Sequence, residues 1–405
     1  MDMEFKEREF VPVLFGGDIN TYSVARAFYE EYQVKSYVLG KYMSGPSCYS
    51  KITNYRKNPQ MDTEEVVLKA ITKLSKHYPD KTILAIGCGD SYVDTLSRIK
   101  HKFPENVVAP YIEHDLMEQL ILKENFYKMC EKHGIDYPET LVYDSSMGMD
   151  IHVNFQYPVI LKPSNGVDYF HHPFEGQNKI YKLNSLDEVK KTIGEIYASG
   201  YSDKLIIQDM IPGNDEFMRV LTCYSGRDRK VKMMCLGHVL LEEHTPLGLG
   251  NHAVIITEPN DELMHKVKAL LEDLEFTGFS NFDIKYDSRD GKYKFFEINV
   301  RQGRSNFYVT NSGFNVARYF VEDYVYKKDI PFETAQEEHL WMVVPKAVAY
   351  KHVKDPEMIK RMKRLIKEKK MVNPLFMRGD LGWKRYLRLV KNHVRQFANY
   401  DKYYK

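Results

Sequence analysis

The chain has 405 residues, which at roughly 150 residues per domain predicts two or three domains with room for buried cores. Hydrophobic residues make up 43% and charged residues 28%, a balance typical of a globular protein. No run of about 18 apolar residues occurs, so we expect no membrane-spanning helix, and the charged N-terminus MDMEFKEREF lacks the apolar region of a signal peptide.

The number and spacing of the cysteines indicate the redox environment of the protein. The five cysteines are Cys48, Cys88, Cys130, Cys223 and Cys235. An odd number without any Cys-x-x-Cys pair argues against a disulfide framework and against a zinc site. We therefore expect a protein of the reducing cytoplasm.

Charge is distributed unevenly, although the net charge is only +2. Residues 351–405 carry 17 Lys and Arg against 5 Asp and Glu, a net charge of +12, which leaves −10 on the rest of the chain. Apolar side chains at helical spacing over 384–395 predict a basic amphipathic helix. We expect no nucleic acid partner; a phosphate-bearing substrate or peripheral contact with a membrane surface stays open. A helix packed on the body with a solvated basic face is the alternative.

The first part of the chain alternates strands with helices. Four apolar segments predict strands, at Phe10–Phe15, Ser36–Leu39, Thr82–Ile86 and Val107–Ile112. Helical patterns follow the first and third of them, over 21–32 and up to Lys100. This order predicts a parallel sheet covered on both faces, and we place this first α/β domain at 1–115.

Beyond residue 115, strands and helices mix in an order that predicts an α+β arrangement. Helical spacing is found over 115–133, 263–274 and 316–326, and a capping box at Ser185 and Glu188 predicts a further helix start. Strands are predicted at Pro158–Lys162, Lys204–Asp209, Met218–Tyr224 and Val231–Leu236. The turn chemistry of 287–291 predicts a hairpin of Phe279–Tyr286 and Tyr293–Val300.

The predicted hairpin carries polar residues between apolar ones. Glu297 and Asn299 are two residues apart, so in a strand their side chains point to the same face. Asp283, on the neighbouring strand of the hairpin, can point to that face as well. Oxygen ligands grouped in this way suit Mg²⁺ that bridges nucleotide phosphates. Arg301 continues the alternation and can offset charge on a carboxylate or a transferring phosphoryl group. For the hairpin alone, a solvated polar face is the alternative.

Two further segments suggest a nucleotide site. Lys162 ends the apolar run Tyr157-Pro-Val-Ile-Leu-Lys just before a loop, from which it can reach a phosphate. The segment from Ile206 to Asp215 leaves a strand through a Pro-Gly turn and can hold adenine and ribose hydroxyls. Taken singly, the first is equally compatible with a solvated strand end, and the second with an ordinary turn.

In this order and spacing, the three signals over about 115–325 resemble the ATP-grasp superfamily, and Glu297-x-Asn299-x-Arg301 is the most specific element. The resemblance implies α/β plus α+β architecture: a Rossmann-like pre-ATP-grasp domain at 1–115, an ATP-grasp module at 116–330 with subdomains 116–210 and 211–330, and a basic C-terminal extension at 331–405. It implies a ligase that uses ATP and two Mg²⁺ ions to activate a carboxylate as an acyl phosphate. One departure is the flap at 164–176, which has only two glycines.

The same resemblance implies roles for individual residues. Arg301 and Arg304 are the implied catalytic residues, which steady the acyl phosphate and the tetrahedral intermediate. The implied ATP contacts are the phosphate-binding Lys123 and Lys162, the adenine segment with Gln208, Asp209 and Ile211, and the ribose-binding Asp215. The implied Mg²⁺ ligands are Asp283, Glu297 and Asn299.

Motifs spread over nearly the whole chain are similar to the D-aspartate ligase family of Gram-positive cell-wall synthesis. They include Phe10-Val-Pro-Val-Leu, Gly17-Asp-Ile-Asn, Gln208-Asp-Met-Ile-Pro-Gly, Met233-Met-Cys-Leu-Gly-His and Glu297-Ile-Asn-Val-Arg-Gln-Gly-Arg-Ser. That family joins the β-carboxyl of D-aspartate to the lysine ε-amine of the peptidoglycan stem peptide. The resemblance therefore implies an amino-acid substrate and an anionic peptidoglycan precursor as partners. In this interpretation the candidate substrate contacts are Asp18, Asn20, Asp90 and Ser305.

Two other function classes are compatible with parts of the sequence. The loop Gly87-Cys-Gly89 after a strand superficially resembles the first motif of S-adenosylmethionine methyltransferases, but Ala85 stands where that motif usually has an acid. That hypothesis also leaves residues 200–305 unexplained. A non-catalytic binding protein is favoured only where the metal ligands are missing, and all three are present in this chain.

Overall fold

The computed structural model describes residues 3–164, 166–246 and 248–404, apart from the side chains of Gly166, Val167 and Phe170. The chain is mixed α/β and divides into two compact units. The large unit consists of Met1–Met117, Asn214–Asp283 and Ile298–Lys405, and the small unit of Glu118–Gly213 and Ile284–Glu297. Asn165, in the flap segment singled out above, lies outside the described residues.

A five-stranded parallel sheet belongs to the large unit. Its strands are β1 (Phe10–Phe15), β2 (Ser36–Gly40), β3 (Thr53–Lys57), β4 (Thr82–Gly87) and β5 (Val107–Val108), in the spatial order β3-β2-β1-β4-β5. Helix α1 (Ile19–Tyr32) follows β1, α2 (Glu64–His77) follows β3 and α3 (Asp90–Ile99) follows β4, whereas β2 leads to β3 without a helix. Every residue of the central β1 is buried, as expected for a parallel strand that is covered on both faces.

The structure confirms three of the four predicted strands of this sheet, at Phe10–Phe15, Ser36–Leu39 and Thr82–Ile86. The fourth is shorter than predicted, because only Val107–Val108 pairs with β4 and the nearby Pro110 has no N–H to donate. β3 and α2 have no counterpart among the predicted elements. β3 is a polar edge strand without apolar alternation, so periodicity does not reveal it.

The small unit is built on a four-stranded antiparallel sheet. Its strands are β6 (Thr140–Tyr143), β7 (Val159–Pro163), β8 (Tyr181–Leu183) and β9 (Leu205–Asp209), in the order β6-β9-β7-β8. The single helix predicted over 115–133 is instead two, α4 (His114–Ile121) and α5 (Lys123–Lys132), because the backbone of Leu122 is extended. Helices α6 (Gly166–His171) and α7 (Leu186–Ala198) follow.

Helix α7 begins where the capping motif predicts. Ser185 Oγ accepts a hydrogen bond from the Glu188 backbone N–H at 3.2 Å, while Glu188 Oε2 accepts one from the Asn184 N–H at 2.7 Å. The apolar face of the helix joins the buried core of the small unit, to which it contributes Val189, Ile193 and Ile196. Burying each such side chain stabilises the fold by about 1.5–3 kcal/mol.

A further sheet has eight strands among the described residues, and most of these strands belong to the large unit. They are β10 (Met218–Ser225), β11 (Val231–Glu243), β12 (Asn251–Thr257), β13 (Gly278–Asp287), β14 (Lys292–Asn299), β15 (Glu333–Thr334), β16 (Leu340–Met342) and β17 (Met371–Val372). The order is β14-β13-β10-β11-β12-β16-β17, and β15 pairs with β11. The predicted hairpin is β13–β14, whose turn end belongs to the small unit. Helices α8 (Asp261–Asp273), α9 (Phe307–Asn311) and α10 (Val316–Phe320) are interspersed.

The basic C-terminal segment packs on the large unit through α11 (Lys346–His352), α12 (Pro356–Lys367), β17 and α13 (Trp383–Tyr403). Met362 and Leu365 of α12 join the core of this unit, and β17 pairs with β16. The Arg385 guanidinium lies 4.1 Å from the centre of the Tyr22 ring, and Arg385 is 2% exposed. Of the two alternatives for the predicted helix, the structure supports a helix packed on the body.

In the part of the chain that the structure describes, none of the helices has the combination of length and apolar character that crossing a bilayer requires. α13 has 21 residues, but lysines and arginines interrupt it. All five cysteines are buried free thiols.

Candidate active site

The predicted site residues belong to both compact units. The small unit holds Lys123, Lys162, Gln208, Asp209, Ile211 and Glu297. The large unit holds Asp18, Asn20, Asp90, Asp215, Asp283, Asn299, Arg301, Arg304 and Ser305. Within each unit, the structure brings several of these residues into direct contact.

Lys162 and Gln208 meet across neighbouring strands of the small unit, because β7 and β9 pair antiparallel. Lys162 Nζ donates to Gln208 Oε1 at 2.9 Å. The Gln208 amide in turn donates to Tyr127 Oη and to Thr140 Oγ1, each at 2.8 Å. These hydrogen bonds satisfy a buried amide and hold the lysine at the end of its strand.

The pKa of Lys162 is unusually low for a lysine. Burial, together with the positive charge of Lys123, lowers the pKa of Lys162 to about 7, although Glu297 acts in the opposite direction. Lys123, the first residue of α5, places its Nζ 3.5 Å from Glu297 Oε2. Lys162 therefore lacks a nearby negative charge that would fully stabilise its own positive charge. Together, Lys123 and Lys162 suit a polyanionic ligand that supplies this negative charge.

The predicted adenine segment follows β9. The side chain of Asp209 forms an ion pair with Arg289 of the hairpin turn, and Arg289 also binds Asp287 with Nε–Oδ1 at 2.9 Å. Ile211 is 4% exposed. The Asp209 carboxylate is thus used inside the small unit, which is compatible with a role for the backbone of this segment.

In the large unit, Asp283, Asn299 and Arg301 form a row. Asn299 Nδ2 donates to Asp283 Oδ2 at 3.3 Å, and Arg301 Nη2 donates to Asn299 Oδ1 at 3.4 Å. Ile298 and Val300 between them are buried, whereas Asn299 and Arg301 are half-buried. This is the alternation that the sequence predicts, so the polar side chains share one face of the strand and its continuation.

Arg301 is held from several sides. Its Nε donates to Asp90 Oδ1 at 2.5 Å and its Nη1 to Gln302 O at 3.2 Å. Burial opposes its charge, but Asp90, Asp283 and Asp18 more than compensate and raise the pKa of Arg301. The guanidinium is therefore a fixed cation with a defined orientation.

The loop after Arg301 is joined to the parallel sheet through buried amides. Gln302 Nε2 donates to Gly87 O at 3.0 Å. Asn20 Nδ2 donates to Gln302 O at 3.3 Å, and Asn306 Nδ2 donates to Asn20 Oδ1 at 2.9 Å. Asn20 is 2% exposed, so the structure places this predicted substrate contact beneath the loop, where it positions the Arg301–Arg304 segment.

Arg304 and Ser305 lie next to His252. Arg304 Nη2 pairs with Glu243 Oε1 at 3.0 Å, and its Nη1 donates to His252 O at 3.4 Å. His252 Nδ1 is 3.4 Å from Ser305 Oγ. Burial and the charge of Arg304 lower the pKa of His252 to about 4, so its imidazole is neutral at neutral pH. Ser305 is 3% exposed.

Asp18 and Asp215 differ in their surroundings. Asp18 caps α1, where its Oδ1 accepts hydrogen bonds from Thr21 N and Thr21 Oγ1, both at 3.1 Å, and its side chain is exposed. Asp215 is 7% exposed; its Oδ2 accepts from Glu242 N and contacts His244 Nε2, both at 2.9 Å. This contact raises the pKa of His244.

Several residues around these groups have no counterpart among the sequence predictions. They are Tyr127, Thr140, Glu243, His252, Arg289 and Gln302. None stands in a recognisable spacing pattern, and most have partners that are distant in sequence: Gln302 and Gly87 are separated by 215 positions. Only Gln302 carries a local signal, since it directly follows Arg301.

A comparison with characterised proteins decides the family. Over 411 residues the chain is 40% identical to the D-aspartate ligase of Enterococcus faecium (strain Aus0004), covering 98% of this chain and 97% of that protein. The chain belongs to the D-aspartate ligase family. No protein-family model matches its sequence.

Solved structures place this member of the D-aspartate ligase family in the ATP-grasp fold. N5-carboxyaminoimidazole synthetase from Staphylococcus aureus, complexed with ADP, gives a TM-score of 0.58 at 14% identity, covering 91% of this chain and 90% of that one. The biotin carboxylase domain of Hydrogenobacter thermophilus 2-oxoglutarate carboxylase, complexed with MgADP, gives 0.57 at 12% identity, with 81% and 72% covered. At these identities the likeness shows the fold alone.

As a member of the D-aspartate ligase family, the chain is an ATP-dependent carboxylate–amine ligase. The resemblance drawn from the motifs is confirmed, and the methyltransferase and non-catalytic alternatives are wrong. Gly87, the glycine loop's first residue, contacts Gln302 of the segment after Arg301.

Proposed function

We propose that this ligase phosphorylates the side-chain carboxylate of an amino acid, with D-aspartate as the best candidate, and joins it to the lysine ε-amine of a peptidoglycan stem-peptide precursor. The observation that carries the proposal is the 40% identity over almost the full length of a D-aspartate ligase. The row Asp283–Asn299–Arg301 supports it, because activation of a carboxylate needs both oxygen ligands and fixed positive charge.

ATP is the proposed phosphoryl donor. Lys123 and Lys162 contact its phosphates, the backbone of 208–211 lines the adenine site, and Asp215 approaches the ribose. The depressed pKa of Lys162 supports the phosphate assignment, since an anionic ligand supplies the charge that this buried lysine lacks. ADP and MgADP in the two solved neighbours agree with this assignment.

Mg²⁺ fits the donors that the hairpin offers. Asp283, Glu297 and Asn299 present carboxylate and amide oxygens, the ligand type that Mg²⁺ prefers, and each is half-buried. We assign these three residues to two Mg²⁺ ions. Bound Mg²⁺ supplies charge compensation for the phosphates and polarises the transferring phosphoryl group.

The chain's own residues then act on the reacting groups. A carboxylate oxygen of the amino acid attacks the γ-phosphorus of ATP, ADP leaves, and an acyl phosphate remains. The amine nitrogen adds to the acyl carbon and loses a proton to solvent, and inorganic phosphate departs as the amide forms. Arg301 and Arg304 stabilise the negative charge of both steps, and Asp90 fixes the Arg301 guanidinium.

The domain assignment follows from the same proposal. The parallel sheet within 1–115 is the Rossmann-like pre-ATP-grasp domain, 116–210 and 211–330 are the two subdomains of the ATP-grasp module, and 331–405 is the C-terminal extension. We place this ATP-consuming enzyme in the cytoplasm. None of the comparisons supports the membrane contact considered for the basic tail.

Trapping with hydroxylamine tests the order of the reaction. With ATP, Mg²⁺, D-aspartate and hydroxylamine but no lysine-containing precursor, we expect aspartyl hydroxamate and equimolar ADP, because the acyl phosphate forms before the amine attacks. Mass spectrometry of the hydroxamate and chromatography of the nucleotide check this result. AMP in place of ADP would contradict the acyl-phosphate step, and failure with every D- and L-amino acid would contradict the proposed substrate class.

The pKa of Lys162 predicts how nucleotide affinity depends on pH. Free Lys162 titrates at about 7, and bound phosphates raise its pKa, so binding takes up a proton above pH 7. Below pH 7 Lys162 is charged in both the free and the nucleotide-bound protein, so the affinity does not depend on its titration. Above pH 7 the free lysine is neutral and must take up a proton on binding, so the affinity for ADP with Mg²⁺ falls by up to about tenfold per pH unit.

Calorimetry from pH 7.5 to 9 in buffers of different ionisation enthalpy measures both this affinity and the proton uptake. Lys162→Arg is the matched control, since an arginine stays charged throughout the range. Its affinity is expected to be flat over the same window. A wild-type affinity that does not change with pH, or an equal slope in the variant, contradicts the assignment of Lys162.

A further inference from the structure

A cavity of about 280 Å³ lies within the large unit. Its walls include the loop from β1 into α1, the loop at 45–48 and the C-terminal helix α13. Gly45 lets the second loop pack on the first, because its φ is +81° and a Cβ there would collide with Gly17 O. The lining positions of α13 recur at helical spacing from 385 to 396, so one face of the helix is turned to the cavity.

The wall formed by α13 is fixed at both ends. Near its start, Arg385 donates to Pro46 O and to Leu375 O, the latter at 3.1 Å. Near its end, Tyr400 Oη donates to Glu242 O at 2.6 Å. The side chains between these anchors therefore face the cavity in a defined arrangement.

The cavity lining that the structure describes contains three arginines, of which two are paired with acids. Arg304 is paired with Glu243, and Arg385 lies 3.2 Å from Asp380. Arg388, by contrast, lies against the Cys48 thiol, and among the described residues it has no carboxylate at ion-pair distance.

Asp18 is the complementary group. It too lines the cavity without an ion-pair partner in the described part of the chain. Thr21 engages only its Oδ1, which leaves Oδ2 for a ligand. A cation placed beside the Asp18 carboxylate is attracted by its negative charge.

The cavity adjoins the residues to which catalysis is assigned. Arg304 itself lines it, and the charges of both Arg304 and Arg301 act on Asp18. A ligand that reaches from Arg388 past Asp18 thus comes close to the two arginines proposed to handle the acyl phosphate.

We propose that this cavity binds the zwitterionic head of the amino-acid substrate, with the α-ammonium on Asp18 and the α-carboxylate on Arg388. The side-chain carboxylate is then the one left to face Arg301 and Arg304, so the arrangement selects the side chain over the α-carboxylate for activation. This inference rests on the proposed function and names the subsite for its amino acid. The size of the cavity favours a free amino acid over a peptide, because ligand sites of about 300 Å³ are at the small end of their range.

The test compares Arg388→Gln with Arg395→Gln, which removes the same charge from an exposed position of α13 outside the cavity. Each full-length variant is assayed for ADP release with ATP, Mg²⁺, hydroxylamine and the amino acid. We expect Arg388→Gln to raise the KM for D-aspartate by about 10- to 100-fold, the range for losing a charged hydrogen bond, and to leave the KM for ATP unchanged. Arg395→Gln is expected to match the wild type.

Two achiral analogues separate binding from folding. β-Alanine lacks the α-carboxylate, so Arg388→Gln is expected to leave its KM unchanged. Succinate lacks the α-ammonium, so Asp18→Asn is expected to raise the KM for D-aspartate while sparing succinate. An equal loss with aspartate and its analogue indicates a structural effect and overturns the proposal. A change confined to the KM of the lysine-containing precursor overturns it as well, since the cavity then serves the acceptor.

Failure of the proposed function is a separate result. It is seen when the wild-type protein releases no ADP with any amino acid. In that event, calorimetric binding of D-aspartate to the wild type and to Arg388→Gln still decides the inference: binding that only the wild type shows supports it, and equal or absent binding in both contradicts it.

Discussion

Replacing Glu297 by Gln or Asp283 by Asn is expected to lower kcat by about 10²- to 10³-fold, while the protein stays folded. Each change removes one negative charge from the proposed Mg²⁺ ligands but keeps the shape of the side chain. Mg²⁺ prefers charged oxygen ligands, so the phosphate charge is no longer fully offset during transfer. Steady-state ADP release at saturating ATP and amino acid measures the loss, and added Mg²⁺ is expected to restore part of it.

The matched control is Asp290→Asn in the turn of the same hairpin, where the carboxylate pairs with Lys294 at 2.7 Å. It removes the same charge from the same hairpin and is expected to keep wild-type turnover. Glu297→Gln also loses the contact with Lys123, but Glu297 is 43% exposed, and such pairs contribute at most about 1 kcal/mol. If the Glu297 and Asp283 variants are folded and turn over as fast as the wild type, the metal assignment is ruled out.

Arg301→Lys is expected to lose about 10²- to 10³-fold in kcat, although the positive charge is kept. The guanidinium serves three partners at once, Asp90, Gln302 O and Asn299, and a lysine ammonium cannot reproduce that planar fork. Since the defect lies in orienting the charge on the reacting groups, the KM for ATP is expected to change much less than kcat. Hydroxamate formation isolates the first chemical step and is expected to fall in parallel.

Two further variants serve as comparisons for Arg301→Lys. Arg98→Lys alters a partly exposed arginine that pairs with Asp94 at 2.8 Å, and it is expected to behave as the wild type. Asp90→Asn keeps an acceptor for Arg301 Nε and is expected to cost less than the change at Arg301 itself. Wild-type kcat in Arg301→Lys would show that only the charge matters and that the fork geometry has no role.

Much of the local structure can be derived from the sequence. The buried run Phe10–Phe15, the turn at 287–291 and the alternation Glu297-Ile-Asn-Val-Arg301 each contain their own structural signal. Strand periodicity places side chains on one face whatever surrounds them, which is why the row Asp283–Asn299–Arg301 could be predicted. The motifs also led to the family that the full-length identity confirms.

Other features were decided only by the tertiary structure. The break at Leu122 and the polar edge strand β3 have no periodic pattern. The burial of Asn20 beneath the Arg301–Arg304 loop depends on Gln302, which is 282 positions away.

The C-terminal helix shows the difference between the two kinds of information. The sequence determined by itself that 384–395 is basic and helical in spacing, but the choice between a free anionic-surface contact and a packed helix stayed open. That choice depends on Arg385 meeting Pro46 and on Tyr400 meeting Glu242, partners 339 and 158 positions away. Backbone periodicity is encoded within a segment, whereas burial and charge pairing are set by whichever distant segments the fold packs together. The tertiary structure alone therefore decided that Arg388 and Asp18 line one cavity.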